Sequence, residues 1–290
     1  MTPLDQARAQ SSHAERHSGT SHLDRSSGIA IARNDGFRSG PCSVSPKAAL
    51  AALRDYSGRS AFPLRAARDD GRLTPAFTKL PAEAGAVFLA NADPAQAHRP
   101  QQTLRNLPGV PVVTDQETSA VALTAALLTS VNRTGLRPGA SRVVLVEADT
   151  LPILRPLLAA AGFVDLAQWS QADGDAVSLT VLAHGASAVV DLSGDGRGTA
   201  AVENAEPDCA VISPDDPLGL LLPLPGLMRS VLDFPATLTT SDLSVRSELY
   251  CACAYALAAA APPDGLLPEL ADPAVPRNVA QAANAVLRHL

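Results

Sequence analysis

Apolar residues fall along this chain in short unbroken runs and in longer stretches of helical spacing, and the two rhythms alternate. Residues 45–56 (SPKAALAALRDY) carry a capping Ser, a Pro at the first helical position and apolar residues at helical spacing, which predicts a short helix. Residues 86–90 (AVFLA) and 110–113 (VPVV) are compact apolar runs that predict buried strands, with an exposed helix over 94–106 between them. A long apolar helix is predicted over 119–133, a strand over 141–146 (SRVVLV), a helix over 151–161, and strands over 187–192 (SAVVDL) and 209–212 (CAVI). Helices over 241–261 and 276–290 close the chain. Strands that are apolar throughout and separated by helices predict a parallel sheet covered on both faces, an α/β doubly wound fold.

Two stretches break the pattern. Residues 1–44 are rich in Ser, Arg, His, Asp and Gly and predict a disordered polar tail, because too little apolar surface is present to offset the entropy of ordering. Residues 58–85, interrupted by Pro and Gly, predict loop. The expected division is a tail over 1–44, a short region over 45–113 and a main α/β domain over 114–290. His13, His17 and His22 in the tail include an i, i+4 pair that would suit a metal if the segment were helical, but solvated tail histidines are expected.

Hydrophobic residues make up 46% of the chain and aromatics only 3%, so the core is expected to be aliphatic and suited to close helix-on-sheet packing. The formal charge of -6 leaves no basic field to gather phosphates, which argues against nucleic-acid binding. Cys42, Cys209, Cys251 and Cys253 lack repeated C-x-x-C spacing and are expected to be reduced, mostly buried thiols. The first thirty residues lack the apolar core of a signal peptide, and the longest apolar stretch, 249–261, falls short of the roughly 18–20 residues of a membrane span. A cytoplasmic protein without membrane association is expected.

The order of segments resembles the malic enzymes. Residues 110–128 (VPVVTDQETSAVALTAALL) resemble the family's strand, acidic pair, Gln and long apolar helix, and residues 142–162 (RVVLVEADTLPILRPLLAAAG) sit where its first cofactor-domain strand, glycine loop and helix lie. Residues 187–194 (SAVVDLSG) and 209–217 (CAVISPDDP) resemble two later strands with their turns, and residues 224–233 (LPGLMRSVLD), 252–260 and 267–286 resemble the closing helical segments. The resemblance covers 110–290 well and 86–109 weakly. It implies a Rossmann-like NAD(P)-binding domain over 114–290 preceded by a truncated remnant of the substrate domain, with NAD or NADP as the family's cofactor.

The residues that the family's chemistry needs are mostly different here. A working member holds a divalent metal on a Glu-Asp pair and a later Asp. The first pair falls at Ala90 and Asn91 and the later acids at Thr114 and Asp115, which leaves Asp115 as the one metal candidate, or else a helix cap. The glycines of the cofactor loop fall at Glu147, Asp149 and Pro152, and two carboxylates there repel a pyrophosphate. Tyr56, Lys47 and Lys79 are the same-type residues available for the family's Tyr and Lys acid-base pair, none of them in a matching context. Ser193, Gly194 and Asp215 remain as crevice candidates. Residues 194–198 (GDGRG) read either as an anion cradle with Arg197 or as a tight turn, the commoner meaning of such clusters; the family's Asn before Pro is Ser213, and Arg229 lies on the best-matched segment as a substrate contact or a structural Arg.

Three expectations follow from these losses. The first is a catalytically degenerate malic-enzyme-like protein acting as a binding, regulatory or partner subunit, as a homodimer or beside an intact enzyme, with little dinucleotide binding. The second is a divergent oxidoreductase or lyase built on Asp115, Glu147, Asp149 and Asp215. The third is an assembly protein with apolar surface near residues 218–222 (LGLLL).

Overall fold

The computed structural model describes residues 28–33, 40–64, 80–94, 110–173, 177–235 and 243–289. Among them, strands and helices alternate in two successive parallel sheets. The first sheet holds β1 (Gly28–Arg33), β2 (Ala61–Pro63), β3 (Ala84–Ala90) and β4 (Val112–Thr114) in the order β2-β1-β3-β4, with α1 (Pro46–Tyr56) between β1 and β2. The strands pair in parallel, with Ile29 opposite Ala86 and Arg33 opposite Ala90. Pro63 ends the edge strand, where a missing N–H costs no central ladder bond.

The second sheet holds β5 (Arg142–Val146), β6 (Asp165–Trp169), β7 (Ala188–Asp191) and β8 (Ala210–Ile212) in the order β6-β5-β7-β8, again parallel. Three helices make its crossovers: α3 (Leu154–Ala160), α4 (Leu179–Ala183) and α5 (Arg197–Ala205). The chain then closes through α6 (Leu224–Asp233), α7 (Leu243–Ala260) and α8 (Ala274–Leu287). In each sheet the first strand lies inside, so the winding reverses beside it; ligand crevices of such sheets lie at that reversal, beyond the strands' carboxyl ends.

The two sheets are joined by α2 (Asp115–Arg133), whose residues from Asp115 to Val131 are all buried. A helix buried on every side must partner its own polar groups or leave them costly. One contiguous apolar cluster runs from Ile29 and Ile31 through Leu127 and Leu145 to Leu287, and smaller clusters around Val87 and Val189 cover the opposite faces of the two sheets. That two-sided burial is why the strands read as unbroken apolar runs.

Several sequence expectations are corrected. Gly28–Arg33, assigned to the polar tail, is an inner strand with Ile29 and Ala30 fully buried. Its six residues are hidden in composition because polar neighbours flank them on both sides. Ala61–Pro63 is a strand inside the expected loop, and β6, α4 and α5 were not anticipated. The long helix begins at Asp115 rather than 119, because Thr114 and Glu117 form a capping box in which each side chain receives the other's backbone N–H. The expected helix over 94–106 lies almost wholly outside the described residues, as do Lys79, His13, His17 and His22.

Candidate functional site

The carboxyl ends of β3, β4 and β7 are drawn together by residues 40–44. Pro41 packs against the turn after β7, where a Cβ on Gly194 would lie 3.0 Å from the Pro41 Cβ, and Gly194 itself has a positive φ of 77°. The Cys42 carbonyl accepts a bond from Ser119 Oγ on α2 at 2.9 Å, and Val44 N points at Asp115 Oδ2 at 3.4 Å. Cys42 and Val44 are both buried, so this segment fills space between the loops that would border an open crevice.

Asp115 is the centre of that contact. Its Oδ2 accepts from Asn91 N at 2.7 Å and its Oδ1 from Ala92 N at 3.1 Å, so the side chain satisfies the turn that leaves β3. Asn91 holds that turn in the left-handed conformation, φ 55°, which Asn tolerates better than most residues. Asp115 is 0% exposed. Burial lifts its carboxyl to about 6, while the backbone N–H bonds pull the other way. Asp115 therefore acts as a staple between β3, residues 40–44 and α2, and neither oxygen is left open towards solvent. Beside it, Gln116 Oε1 is buried with no hydrogen-bond partner among the described residues.

A divalent ion needs several hard oxygens with free lone pairs. Ala90 and Asn91 supply no carboxylate and Asp115 is already bonded on both oxygens, so these residues do not fit the family's metal. Among the described residues, no group of three or more His, Cys, Asp or Glu side chains is placed to hold an ion.

One of the glycine-loop positions, Glu147, keeps a left-handed backbone without the glycine. Glu147 sits just beyond β5 at φ 54°, the left-handed conformation that favours Gly, and opens a short 3-10 turn, Ala148–Thr150. Its carboxylate accepts from Gln171 N at 2.6 Å, and Thr150 Oγ1 bonds back to Glu147 O at 2.8 Å. Thr150 Oγ1 also reaches Leu192 O across the reversal between β5 and β7 at 3.4 Å. Asp149 and Pro152 lie exposed, and Leu151 is buried where a pyrophosphate would need bare backbone. The loop does not fit the family's dinucleotide mode.

Ser193 and Gly194 belong to a self-satisfied turn. Asp191, buried at the end of β7, accepts from Ser193 N at 2.9 Å, from Ser193 Oγ at 2.6 Å and from Thr199 Oγ1 at 3.0 Å. Gly194 and Gly196 both have positive φ, as the tight-turn reading of residues 194–198 expected, and α5 starts directly afterwards.

A cavity of about 760 Å³ lies beyond β8 and collects candidates from distant parts of the sequence. Tyr56 from the end of α1, Ser213 and Asp215 from the loop after β8, and Leu123 and Ala126 from α2 all line it. Asp215 accepts a bond from Ser213 Oγ. Leu220, Leu221 and Leu222 are buried, and only Leu218, 54% exposed, stands out at its mouth, so the 218–222 stretch is mostly core. Lys47 and Arg229 lie exposed on α1 and α6, and all four cysteines are buried and free. Burial raises Cys42 and Cys253 to about 12 and Cys251 to about 11, which keeps them as thiols.

Glu117, missed in the sequence, anchors a buried polar group. Its Oε1 meets Arg246 Nη1 of α7 at 2.8 Å, with the two side chains 3% and 12% exposed, and Arg246 lies 3.5 Å from the Tyr250 hydroxyl. Burial, then the Glu117 charge, push the Tyr250 phenol well above its usual range. The Thr-x-x-Glu spacing at 114–117 was the signal that marks this residue.

No protein-family model and no curated protein matches the sequence. Solved structures do match. The NAD-dependent malic enzyme of Thermotoga maritima superposes with a TM-score of 0.64 at 16% identity, over 98% of this chain and 90% of that one. The malic enzyme of Entamoeba histolytica gives 0.72 at 14% identity, over 100% of this chain and 75% of that one. The fold is that of the malic enzymes. The malic enzyme of Pyrococcus horikoshii agrees, with a TM-score of 0.65 at 17% identity over 100% of this chain and 82% of its own. The likeness includes the family's cofactor-domain fold.

Proposed function

We propose that this chain uses the malic-enzyme fold as a binding or partner module and does not carry out metal-dependent oxidation and decarboxylation of malate. The observation that carries the reading is the state of Asp115: the one acid left at the family's metal positions is fully buried and bonded on both oxygens to backbone N–H groups. The altered glycine loop adds to it, since a Glu side chain and a buried Leu stand where backbone approach to a pyrophosphate is needed. The partner class is a second copy of the chain or an intact enzyme of the same fold, in a symmetric assembly. Formation of reduced cofactor from malate with NAD or NADP and Mn²⁺ tests this directly. The reading expects none above the protein-free rate, and turnover abolished by Asp115→Asn overturns it.

A second reading, a divergent oxidoreductase or lyase, has one observation in its favour: a carboxyl lifted to about 6 is poised to exchange protons near neutral pH. Its full burial weighs against it, because a general base must reach its substrate.

A further inference from the structure

The cavity beyond β8 has the size and composition of a small-molecule site, since about 760 Å³ falls within the range of ligand pockets. Its inner wall is aliphatic, formed by Leu123 and Ala126 of α2 with Leu220, Leu222 and Leu267. Its rim is acidic, with Asp215, Asp216 and Glu269, and the described lining holds no Lys, Arg or His. Asp215 is engaged by Ser213 Oγ and Asp216 Oδ1 by Leu218 N at 2.9 Å. The remaining oxygens of both, and the Glu269 carboxylate, have no hydrogen-bond donor among the described residues. Three exposed acidic residues lining one apolar space disfavour an anion and favour a cation whose body prefers the leucines to water.

We propose that this cavity binds an organic ammonium compound, its charged head among Asp215, Asp216 and Glu269 and its apolar body against the leucines. The site lies apart from the Asp115 contact and does not depend on the catalytic reading. A matched set of dyes tests it: dansylcadaverine carries an ammonium, dansylamide is neutral and dansylglycine carries a carboxylate. Fluorescence titration of the full chain is expected to give saturable binding in the order ammonium, neutral, carboxylate, with the first about tenfold tighter than the second, as one good charge-assisted contact provides. The combined variant Asp215→Asn, Asp216→Asn, Glu269→Gln should keep the neutral dye's affinity and lose the preference. Glu269→Gln alone, at an exposed position that no fold contact requires, should reduce the preference even where the combined variant fails to fold. No saturable binding by dansylcadaverine, equal affinity for the three dyes, or a preference unchanged by Glu269→Gln would overturn the proposal.

Discussion

Raising the pH from about 4 to about 7 titrates Asp115 inside the folded chain, and the stability lost in that window measures how the carboxylate is held. Burial lifts the carboxyl from 3.8 to about 6, against the N–H bonds from Ala92, Asn91 and Val44. Between those values the folded chain keeps a proton that the unfolded chain has released. The contribution is therefore full below 3.8 and is lost as the pH rises through about 6. At about 1.4 kcal/mol for each pH unit between the two values, the loss is about 3 kcal/mol. Asp115→Asn has no such proton to hold. Urea unfolding of both proteins at successive pH values should show the wild type losing about 3 kcal/mol relative to the variant across this window. A flat difference would refute the reasoning. A difference of opposite sign would show that the N–H donors outweigh burial and that the site holds a stable anion, as a cation ligand requires.

Other consequences concern the supports of the site. Arg246→Met removes the counter-ion of buried Glu117 and should cost about 3–5 kcal/mol in denaturant unfolding, with Glu117→Gln in the same chain recovering part of the loss. Gly226 lets α6 approach α8, where an added Cβ would lie 2.5 Å from Pro276 O and 2.7 Å from Val279 Cβ; Gly226→Ala should therefore lower stability by about 3 kcal/mol. Glu147→Gly relieves a left-handed residue but gives up the bond to Gln171 N and adds unfolded-state freedom, so its unfolding free energy should stay within about 1 kcal/mol of wild type. A larger loss would show that the Glu147 side chain, not the backbone turn, holds the loop.

The doubly wound pattern was legible because buried parallel strands and long apolar helices write strong signals, as in 141–146 and 119–133. What stayed hidden was short or locally outvoted. Gly28–Arg33 is a central strand of small apolar residues set among Ser, Arg and Asp, and only its pairing with β3 explains its burial. β6 is an edge strand with exposed and half-buried positions, so its sequence, DLAQW, carries little strand signal. At the site, the sequence names candidate positions but not how they are filled. Asp115 was read as a metal candidate or a helix cap, and its bonds come from residues 23, 24 and 71 positions away, which no spacing rule conveys. Tyr56 and Asp215 share a cavity through the same long-range folding. Glu117 could have been recognised, since Thr114 and Glu117 form a capping box in plain sequence.

Isothermal titration of the folded full-length chain with NAD and with NADP, each with and without Mn²⁺ and malate, tests the central claim most directly. The account predicts no saturable heat from any combination. Saturable binding at micromolar concentration that requires Mn²⁺ and is lost in Asp115→Asn would contradict it, because Asp115 would then have to leave its backbone partners and serve as a metal ligand.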